Sequence, residues 1–206
     1  MSDFRRSAPI DYRRLTIPPT IDHRRSTIQP GLWYNLLSMK LNGNARVPKN
    51  QKNDINTDYI ISGRYKFKIQ DPVELAKHVM EDIDPDFYNR VQKGDFLVAG
   101  TNFGCGSSRE QAPMAIKYAN ISAVLAKSFA RIFYRNCFNL GLPAIECDTD
   151  GISEGDELEV DFDAGLVRNK TKKSEIKISP LPKTMQTLLS DGGLVEHFKK
   201  HGTFKI

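Results

Sequence analysis

The chain has 206 residues, of which 39% are hydrophobic and 27% charged, with a formal net charge of +5. That length suits one domain with an appendage, and no apolar run is long enough to cross a bilayer. Six arginines and three aspartates fall within residues 1–38, so most of the positive excess lies there and the remainder carries too little to read as a nucleic-acid surface.

Taken in order, residues 1–38 show no helical or strand period, and Pro9, Pro18, Pro19 and Pro30 interrupt them. They read as a disordered or loosely draped extension, with residues 39–206 as the domain. The Arg-Arg pairs hint at an organelle transit peptide. Three aspartates and four prolines argue against it, so a cytoplasmic location is expected. Residues 42–47 predict a first strand. Residues 54–58 predict a turn dense in side chains that bond their own backbone. Residues 72–79 predict a helix with Asp71 as N-cap and Pro72 at its first position. Residues 87–91 form a short amphipathic turn, and His78 reads as structural.

Residues 95–99 are a short apolar run, hence a buried strand, and residues 114–119 are rich in helix formers. The β-branched run 121–126 predicts a second buried strand. Ser128 is placed to cap a helix over 129–140, with Gly141 at its C′ position, before a third strand at 143–147. This alternation of strand and helix implies parallel pairing. Residues 155–162 alternate polar and apolar, turn into 166–168 as a hairpin, and are followed by another alternating strand at 175–178. Two short helices, 184–189 and 194–200, flank Gly192-Gly193. His197 and His201 lie four apart. With Lys199 and Lys200 beside them and no third ligand in view, an exposed basic helix end is expected rather than a metal site.

The chemistry concentrates in residues 100–113, between the strand at 95–99 and the helix that follows. Three glycines, two serines and an arginine converge there. Ser108 and Gln111 have the spacing of a capping box, which would put Arg109 in the first helical turn. Backbone N–H groups, hydroxyls and a guanidinium at one spot make a site for an anion, most plausibly a carboxylate. The plainer alternative, a glycine loop with a capped helix, leaves the first hydroxyl and the arginine unexplained. A nucleotide loop fits worse, because the third glycine of G-x-G-x-x-G is missing and no Walker lysine follows. Cys105, Cys137 and Cys147 are spaced neither as a disulfide framework nor as a cluster or zinc motif, so reduced thiols are expected.

The run Gly-Thr-Asn-Phe-Gly-Cys-Gly-Ser-Ser-Arg-Glu at 100–110 resembles the signature of the swivel domain of the aconitase superfamily. Within it, the chain is most similar to the small subunits of 3-isopropylmalate dehydratases. The likeness extends to Asp-Ile-Asn-Thr-Asp-Tyr-Ile-Ile at 54–61, Ser-Phe-Ala-Arg-Ile-Phe-Tyr-Arg-Asn at 128–136 and Gly-Gly-Leu at 192–194. It implies an α/β swivelling domain: a mixed sheet or partly open barrel with flanking helices. It also implies catalytic roles for Ser107, as an alkoxide base, and Asp58. Ser108, Arg109 and Arg64 would be substrate-binding. Phe67 as a substrate-binding residue, if inward, suits an apolar substituent, whereas Lys66 or Lys68, if inward, would suit a third carboxylate.

The resemblance further implies a partner, a large subunit carrying a [4Fe–4S] cluster, with no metal held by this chain, and a small hydroxy-dicarboxylate substrate. The helical face with Arg131 and Arg135 would then lie near that partner or the mouth of the site, or be plain solvated surface. The loop Tyr65-Lys66-Phe67-Lys68 departs from the patterns of the isopropylmalate and homocitrate enzymes alike. Homoaconitase and 2,3-dimethylmalate dehydratase small subunits therefore stay open, as does a non-catalytic anion-binding module.

Overall fold

The computed structural model describes residues 40–50, 52–65, 68–178 and 180–203. A seven-stranded mixed sheet runs in the order β4-β3-β2-β1-β5-β6-β7. Its parallel half comprises β1 (Lys40–Arg46), β2 (Phe96–Val98), β3 (Ala123–Ala126) and β4 (Ala144–Glu146). Its antiparallel half continues from β1 through β5 (Glu157–Asp161), β6 (Leu166–Asn169) and β7 (Ser174–Lys177). β1 is thus the spine of both halves. Gly43 lets it lie flat on the chain at Gly94 and Asp95, where a Cβ would run into the Gly94 carbonyl. The buried Asp95 carboxylate takes the Asn44 N–H at 3.1 Å, the Gln92 N–H at 2.8 Å and the Arg46 guanidinium.

The strand chemistry follows from burial. β2 and β3 carry only apolar residues and are wholly buried, as central strands of a parallel sheet must be. β5 and β6 keep Leu158, Val160 and Val167 inside while Arg168 lies over Glu159 and Asp161 on the wetter face. α4 (Gln111–Tyr118) links β2 to β3, and α5 (Arg131–Asn139) links β3 to β4. α1 (Thr57–Ile60), α2 (Pro72–Ala76) and α3 (Phe87–Arg90) fill the long connection between β1 and β2, and α6 (Lys183–Asp191) and α7 (Leu194–His201) close the chain. The mixed sheet with flanking helices is the architecture the sequence predicted.

Four local expectations are corrected. Ser108 does not cap α4. Pro113 has no N–H to give to Arg109, so the first helical bond is Met114 N–H to Glu110 at 3.1 Å and the helix starts at Gln111. Arg109 therefore precedes the helix. Ser128 does not cap α5, which starts at Arg131; its hydroxyl instead accepts the Asn102 N–H at 2.8 Å. The helix capped by Asp71 stops at Ala76, short of residue 79, although the predicted cap is made, by bonds from Val73 and Glu74. Residues 54–58 run into one turn of helix, with Asn56 capping α1.

Candidate active site

The loop 100–110 is held between two rails. On one side Asp54 N–H bonds Thr101 at 2.9 Å, Gly104 N–H bonds Ile55 at 2.8 Å and Thr57 N–H bonds Cys105 at 2.8 Å. On the other, Phe103 N–H bonds Ser128 at 3.0 Å and Ala130 N–H bonds Phe103 at 2.9 Å. Phe103 is buried and packs edge-on against Phe129 and Phe133. Gly104 lies at φ +78°, and any Cβ there would collide with the Phe133 ring. So the aromatic wedge sets the loop's height above the sheet, and the two rails set its course.

That course ends at Ser107, whose side chain is exposed. Buried Thr57 grips it at three atoms. The Ser107 N–H donates to Thr57 Oγ1 at 3.2 Å; the Thr57 hydroxyl lies 3.2 Å from the Ser107 carbonyl and 3.1 Å from Ser107 Oγ. Either hydroxyl can donate in the contact between the two side chains. Asp58 follows on α1 and forms an ion pair with Arg109 Nη1. Two predicted site residues are thereby joined to each other, next to Ser107. Arg109 Nε is buried without a hydrogen-bond partner among the described residues. Ser108 is exposed. Gly63 abuts the pair, since a Cβ there would sit 3.6 Å from Asp58 Oδ1.

Arg64 is turned elsewhere: its guanidinium pairs with Asp82, bonds Ser62 Oγ at 3.2 Å and lies over the Tyr65 ring. Tyr65 in turn stacks on His78, and both bond Glu81. Phe67 lies outside the described residues. Thr57 is the residue that sequence reasoning passed over. Its neighbour Asp58 drew the attention, and only a clue from the fold, the close approach of residues 55–57 to 103–107, brings Thr57 to Ser107.

Beside Ser107 opens a cavity of ≈ 590 Å³, bounded by Gly106, Ser107, Ala130, Arg131, Ile132 and Arg135. The three thiols do not gather. Cys137 and Cys147 are buried, and burial pushes their thiols up, that of Cys147 to about 12. Cys105, half-buried in the loop, is also raised by burial and by the Asp54 charge. This donor set does not fit an iron–sulfur cluster.

Among the described residues, one trio of metal-competent side chains has its ligand atoms within 4.8 Å of one another: Asp191, His197 and His201. His197 is buried, which corrects the expectation of an exposed helix end. Gly192 and Gly193, both at positive φ, fold α7 back so that Asp191 Oδ2 lies 2.6 Å from His197 Nδ1 and 3.0 Å from His201 Nε2. Lys200 takes the other carboxylate oxygen at 2.9 Å, so the trio is an ion-paired clasp between two helices.

This geometry can be set beside known proteins. The aconitase C-terminal domain model matches residues 45–150, which hold both rails and the loop. The 3-isopropylmalate dehydratase small subunit 2 of Archaeoglobus fulgidus is 60% identical over 153 residues, 74% of this chain and 93% of that protein. The chain belongs to the 3-isopropylmalate dehydratase small-subunit family. A second member, from Caldicellulosiruptor saccharolyticus, is 57% identical over 148 residues, 71% of this chain and 85% of its own. The crystal structure of a 3-isopropylmalate dehydratase from Methanocaldococcus jannaschii superposes with a TM-score of 0.75 at 47% identity, over 80% of this chain and 96% of that one. The fold is therefore shared with that solved structure.

Proposed function

We propose that this chain is the small subunit of a 3-isopropylmalate dehydratase, a hydro-lyase of leucine biosynthesis that interconverts 2-isopropylmalate and 3-isopropylmalate by removing and re-adding water. The observation that carries this reading is the exposed Ser107 hydroxyl, gripped by Thr57 beside the Asp58–Arg109 pair, in a chain 60% identical to a small subunit. Ser107 Oγ takes the carbon-bound proton on dehydration and returns it on rehydration. A serine is a weak base, so its anion needs donors already in position. Thr57 offers its single hydroxyl proton for that purpose. Arg109 and Ser108 bind one substrate carboxylate, Arg109 being aimed by Asp58. Phe67 faces the apolar substituent of the substrate, while Arg64 is committed to Asp82.

The reaction also needs a Lewis acid for the departing hydroxyl, and the thiols of this chain do not fit one. A large subunit bearing an iron–sulfur cluster is the partner that completes the site, with this chain acting as a lid that swivels onto it. Three free cysteines accord with a reducing, cytoplasmic setting.

Ser107→Ala tests the reading in the complex reconstituted with the large subunit. Turnover is expected to fall below detection while the subunits still associate. Near-normal turnover would reduce the loop to an anion cradle.

A further inference from the structure

The cavity beside Ser107 carries two guanidinium groups that no carboxylate among the described residues neutralises. Seven arginines lie among the described residues. Arg46 is paired with Asp95, Arg64 with Asp82, Arg90 with Asp84, Arg109 with Asp58 and Arg168 with Asp161. Arg131 and Arg135 differ from these five: neither is matched with a carboxylate, and both are exposed on one face of α5. Two like charges four residues apart on a helix repel each other. A chain that pairs its other described arginines leaves this repulsion standing in the wall of the cavity that also holds Ser107.

Charge balance says what the pair awaits. The proposed substrate is a dianion. The Asp58–Arg109 clamp is neutral as a unit, so it orients one carboxylate without offsetting the net charge of two. Arg131 and Arg135 together supply the missing +2. The uncapped first turn of α5, at Ala130 and Arg131, adds its partial positive charge at the same end. An open volume of ≈ 590 Å³ leaves room for a small dicarboxylate between the loop and the helix.

We propose that Arg131 and Arg135 form the second carboxylate-binding site, so that the substrate spans from Arg109 to the face of α5 with its reacting carbons over Ser107. This rests on the functional reading above and extends it to residues outside the signature loop.

The test uses Arg131→Gln and Arg135→Gln in the complex reconstituted with the large subunit, with melting temperatures to verify folding. Each variant is expected to raise KM about tenfold, the loss of one charge-assisted contact, with a smaller change in kcat. Subunit association, measured by calorimetry, is expected to stay as in the unmodified chain. An unchanged KM would overturn the proposal. So would a KM rise that merely follows weakened association, because the arginines would then meet a carboxylate of the large subunit. A second measurement stands apart from turnover: malate titrated into the full chain should shift the Nε–Hε NMR signals of Arg131 and Arg135. Signals that stay still at high millimolar malate would overturn the anion site. Shifts seen in a complex that fails to turn over isopropylmalate would instead retain the site and reject the functional reading.

Discussion

The grip of Thr57 on Ser107 has kinetic consequences. Thr57→Val keeps the shape but removes the only hydroxyl within 3.1 Å of Ser107 Oγ among the described residues. Losing a hydrogen bond to a developing anion is expected to cost roughly 10- to 100-fold in kcat. The limb of the pH–rate profile that reports deprotonation of the base should move to higher pH. Thr57→Ser should restore both, and a valine variant with an unaltered profile would show that Thr57 acts only on the backbone. The thiols offer a second check at this scale. The thiolate is the reactive form, and burial raises all three cysteines. Mass spectrometry after N-ethylmaleimide near neutral pH should find Cys105 modified first and Cys137 and Cys147 only on unfolding. Ser107, Ser108 and Arg109 could be proposed from the sequence because they are consecutive. The role of Thr57 could not, since it lies 50 positions away and depends on a parallel bridge between Asn56 and Cys105.

Among the elements, the strands were legible because burial writes itself into apolar runs and alternation, as in β3 and β5. The helix starts were misread where a hydroxyl had another use. Ser128 holds Asn102, and Pro113 moves the start of α4 past Ser108. Ser108→Ala should therefore leave stability within about 0.5 kcal/mol of the unmodified chain in urea denaturation, while weakening substrate binding. A loss near 1 kcal/mol would restore its role as a cap. Gly104→Ala should be worse. It forces a Cβ at positive φ into Phe133 and is expected to cost roughly 1–3 kcal/mol, together with displacement of Ser107.

For the molecule as a whole, the α6–α7 clasp links stability to pH. Burial works to raise the Asp191 carboxyl, but bonds from Lys200, His197 and His201 hold it below its ordinary value. Such a group stabilises the fold above the ordinary carboxylate range, and that contribution is lost as pH falls through the depressed value. The melting temperature should drop on acidification below about pH 4, and Asp191→Asn should melt lower at neutral pH with a shallower acid decline. Residues 1–38 carry no apolar period in the sequence, and a chain beginning at Met39 is expected to melt at nearly the same temperature as the full chain. The two rails of the loop 100–110 also set an order of assembly. One comes from residues 54–57, already made when the loop is synthesised; the other comes from residues 128–130, which are not. A nascent chain cut short at residue 126 would contain the whole signature yet lack the strand-like partner that seats Phe103. The loop's geometry thus arrives with the backbone that follows β3, so a ribosome-bound fragment can carry Asp58 and the whole run 100–110 and still be unable to hold Ser107 in place.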